Sequence, residues 1–209
     1  CLVGSEMCIR DRSYAYGAPK TKKKFKIAAV DFGIKENILR IMKDMGGDIT
    51  VMPPTTTAKE IAALKPDGIF LSNGPGDPKV LTSAVEEVKQ MMKLEIPIFG
   101  ICLGHQIMSL AYDLKIEKMP FGHHGANHPV HDLKNNTVFI TSQNHNFAVA
   151  NIEDRSDVVV THKSLFDDSI QGIEHNEKPF YSIQCHPEAS PGPKEFEVLF
   201  ERFFEDMNA

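Results

Sequence analysis

Short apolar runs alternate with amphipathic segments along most of the chain, and this alternation restricts the possible folds more than any other feature. Turn residues such as Gly46-Gly47 and Pro53-Pro54 separate the segments. The predicted strands are 27–32, 49–52, 68–72, 96–100 and 180–184, and the predicted helices are 34–45, 58–64, 80–93, 103–112 and 195–207. This order predicts an α/β fold with a doubly wound, mostly parallel sheet flanked by helices.

Residues 115–184 follow a different pattern. Their apolar runs are short and separated by turns, at 137–141, 147–150, 158–161 and 169–173. Runs of this kind are typical of antiparallel strands. We therefore expect a small antiparallel region near the active site, inserted before the chain returns to the main sheet.

Length and composition predict one main domain. A chain of 209 residues with 42% hydrophobic residues can bury one substantial core, but it is too short for two full domains with linkers. We assign this domain to residues 26–209 and a lysine-rich linker to residues 13–25. Residues 1–12 show neither a secretory signal nor a helical period, so we expect a sequencing artefact or a disordered arm there.

Charge and cysteine content narrow the possible partners and the compartment. The net charge of −5 gives no basic surface for nucleic acid or an anionic membrane, so we predict neither partner. No apolar run approaches the roughly 18 residues of a transmembrane helix. The main domain holds only Cys102 and Cys185, which predicts a reducing, cytoplasmic location.

Cys102 is the candidate nucleophile. It lies between Gly100 and Gly104, directly after the apolar run 96–99 and before a predicted helix. A side chain at such a strand-to-helix turn needs a strained backbone, and flanking glycines remove the Cβ atoms that would collide. The helix N-terminus favours thiolate over thiol. A bland alternative is that Cys102 is a small core residue, as most buried cysteines are.

His186 and Glu188 supply the partners that a thiolate nucleophile needs. His186 follows the predicted strand 180–184, so it is expected at the same sheet edge as Cys102. Glu188 can orient and charge-stabilise the imidazole. Together the three residues predict a Cys-His-Glu triad for acyl transfer. Cys185, which precedes His186, is expected to point to the opposite face and to belong to the core.

With these residues the chain resembles the class I (triad) glutamine amidotransferases, and more narrowly the glutaminase domain of carbamoyl-phosphate synthase small subunits. The resemblance covers about residues 25–209. The matching blocks are 71–78, 100–106, 121–130, 143–145, 161–166 and 186–193. In that family a separate N-terminal domain precedes this point, so residues 13–25 are expected to be the remnant of a linker to a missing domain.

The resemblance implies a glutamine site. The loop 72–78 alone could be a plain surface turn. By resemblance, however, the backbone N–H groups of Gly76 and Leu103 form the oxyanion hole. The implied substrate-binding residues are Gly74, Gly76, Leu103, Gln106, Asn144, Asn146 and Phe147. Position 146 is usually glycine in the family. We expect asparagine to keep the loop geometry, because it tolerates a left-handed backbone, and to contact glutamine through its backbone.

The resemblance also implies the reaction and the partner. Cys102 and His186 would hydrolyse L-glutamine through a thioester, and ammonia would pass through a tunnel to a synthase large subunit for the carbamoyl phosphate of arginine and pyrimidine synthesis. ATP, bicarbonate and Mg would belong to that subunit, and no cofactor is expected in this chain, which has no phosphate-binding Gly-x-x-x-x-Gly-Lys-Ser/Thr loop.

Three alternatives remain open. A metal site could use His123, His124, His128 and His131, although no cysteine or carboxylate completes a recognisable ligand set, and we predict hydrogen bonding in a loop and no metal. The domain could be a catalytically silent binding partner. It could also supply ammonia to a different synthase, such as one for anthranilate or guanylate.

Overall fold

A computed structural model describes residues 12–19, 21, 24–150, 152, 156–189 and 195–209 of the chain. Its parallel strands are β2 (Phe25–Val30), β3 (Gly47–Met52), β4 (Gly68–Leu71), β5 (Ile98–Ile101) and β10 (Phe180–Ile183). They lie in the order β3-β2-β4-β5-β10. A short strand β1 (Tyr14–Ala15), which belongs to the segment predicted as a linker, pairs antiparallel with β3.

The helices cover both faces of this parallel sheet. They are α1 (Glu36–Asp44), α2 (Ala58–Leu64), α3 (Thr82–Met91), α4 (Leu103–Ala111) and α5 (Val198–Asp206). Successive residues of a strand point to opposite faces. Ala28 therefore packs in the cluster that holds Ile107 of α4, whereas Ile27 packs with Ile38 of α1 and Phe203 of α5. The predicted doubly wound α/β fold is confirmed.

The remaining strands form an antiparallel region beside the parallel sheet. They are β6 (Ile116–Asp132), β7 (Thr137–Val149), β8 (Val158–Ser164) and β9 (Ile170–His175). The order continues β10-β9-β7-β6-β8, and β8 also pairs with β9, so these four strands close on one another. His186 donates its backbone N–H to the carbonyl of Ser142 in β7, which ties the end of the parallel sheet to this region.

The longest strand, β6, was not predicted. We expected the four histidines of this segment to lie in a glycine-rich loop, but they lie in β6, which pairs antiparallel with β7. The pairing is interrupted between Lys118 and His123 and again between Gly125 and His128. Residues 1–11 and 190–194, on which parts of the predictions fall, lie outside the described residues. None of the helices in the described part of the chain has the length and apolar character needed to cross a membrane.

Candidate active site

Cys102 lies at a sharp turn between β5 and α4. Its backbone has φ 53° and ψ −103°, a combination that costs free energy for any residue with a Cβ. Its N–H donates to the carbonyl of Ile183, so the neighbouring strand β10 holds the turn in place. The side chain is only 4% exposed. The geometry is that of a nucleophile elbow, as the sequence predicts.

The two glycines beside Cys102 make this turn possible by close packing. A Cβ on Gly104 would lie 2.2 Å from the carbonyl oxygen of Leu71 in β4. A Cβ on Gly100 would lie 3.0 Å from the backbone of Gly104. The start of α4 therefore contacts the sheet backbone directly, and this contact fixes where Cys102 projects.

His186 and Glu188 follow β10, the strand next to β5. His186 Nδ1 lies 2.8 Å from Glu188 Oε1, and both side chains are buried, with 5% and 0% exposed. Cys102 lies close enough to the imidazole to raise the pKa of His186. The structure thus brings the three residues of the predicted triad together in the order Cys102, His186, Glu188.

Sequence reasoning missed Lys35. This residue precedes α1, and its Nζ lies 2.9 Å from Glu188 Oε1 and 3.3 Å from His186 Nδ1. Nearby, Asn37 donates its side-chain N–H to the backbone carbonyl of Glu188 at 2.7 Å. Residues at the start of the first helix therefore contact both the carboxylate and the backbone of Glu188. A lysine before a helix has no local pattern that would indicate this contact.

The charged groups of this cluster shift the pKa values of His186 and Glu188. Burial alone lowers the pKa of His186, but the neighbouring Cys102 and Glu188 outweigh it and raise that pKa above its ordinary value. Burial alone raises the pKa of Glu188, whereas His186 and Lys35 hold it below its ordinary value. At neutral pH the pair is therefore imidazolium and carboxylate. An imidazolium beside a cysteine favours the reactive thiolate.

We expect Lys35→Met to lower the free energy of unfolding by about 1 kcal/mol at neutral pH, since the buried carboxylate loses one charged partner that is itself partly in water. Urea unfolding measures the effect, and Lys59→Met, at an exposed position of α2, is the control. In a Glu188→Gln background the same change should cost almost nothing. An equal loss in both backgrounds would contradict the proposed ion pair.

The loop after β4 lies against the start of α4, where the oxyanion hole is expected. A Cβ on Gly74 would lie 2.1 Å from the carbonyl oxygen of Phe32 and 2.9 Å from the Leu103 side chain, so only glycine fits there. Leu103 is the first residue of α4, and its N–H therefore has no acceptor within the helix. Gly76 has φ +105° and open space around the position of a Cβ.

Gln106 and Phe147 meet beneath this site. The Gln106 amide nitrogen donates to the carbonyl oxygen of Phe147 at 2.9 Å and to the side-chain oxygen of Gln184 at 3.0 Å. Both donors of this amide thus join α4 to β7 and to the end of β10. In this arrangement the amide oxygen is the atom of Gln106 that can face a substrate.

Asn144 and Asn146 lie on the exposed face of β7. The expectation of a left-handed backbone at Asn146 was wrong, because this residue continues the strand and is absent from the described residues with positive φ. Its side-chain oxygen instead lies 3.2 Å from His124 Nε2. Its neighbours His145 and Phe147 pair with β6, so strand β7 runs through the position where a loop was expected.

The other candidate residues make contacts within the protein. His123 Nε2 lies 3.0 Å from Asp167 Oδ2, and its ring packs beside those of His128 and His145. Among the residues that the structure describes, no group of three or more His, Cys, Asp or Glu side chains is arranged to hold a metal ion. Cys185 is fully buried in the core. Neither Cys185 nor Cys102 forms a disulfide.

Sequence comparison agrees with this geometry. The profile of the family described as glutamine amidotransferase class-I matches residues 28–206. The chain therefore belongs to the class-I glutamine amidotransferase family.

Within this family the chain is similar to carbamoyl phosphate synthase small chains. The chain is 53% identical over 190 residues to the carbamoyl phosphate synthase small chain of Haemophilus ducreyi, covering 91% of this chain and 49% of that protein. The small chain of Pasteurella multocida is also 53% identical, over 188 residues, with 90% and 49% covered. The chain thus spans about half the length of the curated relatives it matches.

A solved structure shares the fold. A protein described as a GMP synthase subunit from Thermoplasma acidophilum aligns with a TM-score of 0.78, covering 90% of this chain and 96% of that one. The sequence identity is 23%, so this likeness supports the fold alone.

Proposed function

We propose that this chain is the glutaminase part of a carbamoyl phosphate synthase small chain. The observation that carries the proposal is the cluster of Cys102, His186 and Glu188 at the ends of two adjacent parallel strands. The similarity to small chains from several bacteria supports this assignment over an amidotransferase that serves anthranilate or guanylate synthesis.

In the proposed reaction, the thiolate of Cys102 attacks the side-chain amide carbon of L-glutamine. The N–H groups of Leu103 and Gly76 stabilise the oxyanion, and one such donor contributes about 2.7 to 4 kcal/mol in known enzymes. Protonated His186 gives its proton to the leaving nitrogen, so ammonia departs and a thioester remains. His186 then takes a proton from water, whose oxygen attacks the thioester and releases glutamate.

The partner in this proposal is the large subunit of the synthase. It would receive the ammonia and would hold the ATP, bicarbonate and Mg that carbamoyl phosphate formation needs. The residues of this chain that carry the chemistry are a cysteine, a histidine and a carboxylate, so we propose no cofactor for it. The two unpaired thiols fit a reducing location, and we propose the cytoplasm.

The test is glutamate release from L-glutamine by residues 13–209, with and without a purified carbamoyl phosphate synthase large subunit. We expect release that the large subunit increases, loss of all release in Cys102→Ala, and near wild-type release in the control Cys185→Ala. A labelled thioester trapped on Cys102 would identify the intermediate. Release that survives in Cys102→Ala would refute the triad, and a chain that binds the large subunit but releases no glutamate would be the silent domain instead.

A further inference from the structure

His124 lies between two side chains of the candidate glutamine site. Its Nδ1 is 2.9 Å from Asn144 Oδ1, and its Nε2 is 3.2 Å from Asn146 Oδ1. The strand pairing places His124 of β6 directly opposite Asn144 of β7. We propose that His124 is a positioning residue that fixes the amide of Asn144 for glutamine binding. This inference rests on the proposed function, because that function makes Asn144 and Asn146 substrate contacts.

The hydrogen-bonding groups show what His124 would fix. A neutral imidazole has one N–H and one acceptor nitrogen. With the N–H at Nδ1, the ring donates to Asn144 Oδ1, the closer of the two oxygens. The amide nitrogen of Asn144 is then left to donate to an acceptor group of the substrate. At Asn146, a turn of the amide lets its nitrogen donate to the ring Nε2. The protonation of the two ring nitrogens therefore determines whether the oxygen or the nitrogen of each amide faces His124.

The backbone of Gly122 fits closely around this contact. Gly122 has φ +68°, and a Cβ on it would lie 2.6 Å from the carbonyl oxygen of His145. The same Cβ would lie 2.7 Å from Asn146 Oδ1 and 2.8 Å from His124 Nε2. Gly122 belongs to the interruption of the pairing between Lys118 and His123. The close approaches at Gly122 confine the imidazole and the Asn146 amide at the same place.

Asn146 adds a contact that the usual glycine at this position could not make. A glycine would leave Nε2 of His124 to water and Asn144 as the one amide held by the ring. Asn146→Gly therefore removes the contact at Nε2 of His124 and leaves the contact between Nδ1 and Asn144. We expect this variant to raise KM for glutamine less than His124→Ala does, because the contact to Asn144 remains.

Steady-state glutaminase kinetics in the presence of the large subunit test the proposal. We expect His124→Ala to raise KM for glutamine about three- to tenfold, the size of one net hydrogen bond, and to change kcat less than about twofold. His124→Gln, which can still donate to Asn144, should recover part of the loss. The matched control is His131→Ala, because His131 lies on the same strand and makes the same kind of contact, 3.0 Å from Asn136 Oδ1. It should leave KM unchanged.

Two results would overturn the role of His124. One is a KM in His124→Ala equal to that of His131→Ala, and the other is a fall in kcat with KM unchanged. If His124→Ala fails to fold, His124→Gln decides the question. Calorimetric titration of glutamine into Cys102→Ser, with and without His124→Ala, measures affinity without turnover. A weaker glutamine affinity in the double variant supports the positioning role of His124, even if the wild type releases no glutamate. A wild type that releases no glutamate counts against the proposed function instead.

Discussion

Gly104→Ala is expected to destroy the reactivity of Cys102 and to lower the free energy of unfolding by about 3 kcal/mol or more. The added Cβ would lie 2.2 Å from the carbonyl oxygen of Leu71 and 2.7 Å from its carbon. Those atoms belong to β4, which is held on both sides by β2 and β5, so the helix must move instead. Moving α4 displaces Cys102 from His186. Urea unfolding and the rate of iodoacetamide alkylation at Cys102 measure the two effects.

Gly100→Ala is the control for Gly104→Ala, because it introduces a milder clash at the same turn. Its Cβ would meet the backbone of Gly104 at 3.0 Å, which a shift of a few tenths of an ångström relieves. We expect it to cost about 1 kcal/mol and to slow alkylation only partly. A Gly104→Ala variant as stable as the wild type, or one less affected than Gly100→Ala, would show that this packing does not set the position of the nucleophile.

Acidification from pH 7 to pH 5 is expected to remove several kcal/mol of stability. Burial, with smaller effects from other histidines, lowers the pKa of His105 to about 3. Burial also lowers the pKa of His145 to about 3 and that of His162 to about 4, although the carbonyl of Phe147 opposes the shift at His145 and Asp132 opposes it at His162. In the unfolded chain each histidine takes up a proton near pH 6.5, about the ordinary value.

The sign of the pH effect follows from this difference. Between about pH 6 and pH 4 the unfolded chain binds up to three protons at His105, His145 and His162 that the folded chain does not, so unfolding becomes easier as the pH falls. Each histidine contributes about 1.4 kcal/mol per pH unit, and the three together contribute about 4 kcal/mol per unit. Urea unfolding at a series of pH values measures this slope.

A histidine variant gives the control. His105→Asn should reduce the slope by about one third, because one of the three protons no longer distinguishes the two states. Ser83→Ala, which removes no titratable group from the exposed surface of α3, should leave the slope as it is. A slope unchanged by His105→Asn would mean that His105 is not held neutral in the folded chain.

The parallel half of the fold could be predicted because its signals are local. The helix predicted at 58–64 is observed as Ala58–Leu64, and each parallel strand lies within two or three residues of its expected bounds. Strand β6 could not be found in this way, since Pro120, Gly122 and Pro129 are typical of turns. It exists because β7 supplies hydrogen-bonding partners, and its two interruptions accommodate the residues that fit poorly in a strand.

In the candidate site, too, the residues with local sequence signals could be predicted and the contacts between distant segments could not. Cys102 and His186 could be placed because each follows a strand, and the ends of parallel strands meet at one edge. The contact between Lys35 and His186 joins residues 151 positions apart, and neither residue has a neighbouring motif that indicates it. The backbone at Asn146 was mispredicted for a related reason, since the pairing of its neighbours His145 and Phe147 with β6 keeps it in the strand.

The position of β10 in the sheet has a consequence for how the protein is made. Among the described residues this strand is the last one, yet it lies between β5 and β9 and joins the two halves of the sheet. During synthesis, which proceeds from the N-terminus, the segment with Cys102 leaves the ribosome well before the segment with His186 and Glu188. A nascent chain therefore carries Cys102, the candidate nucleophile, before His186 and Glu188, and it gains the full candidate site only when strand β10 inserts. The glutamine hydrolysis that we propose therefore requires this strand to be in place.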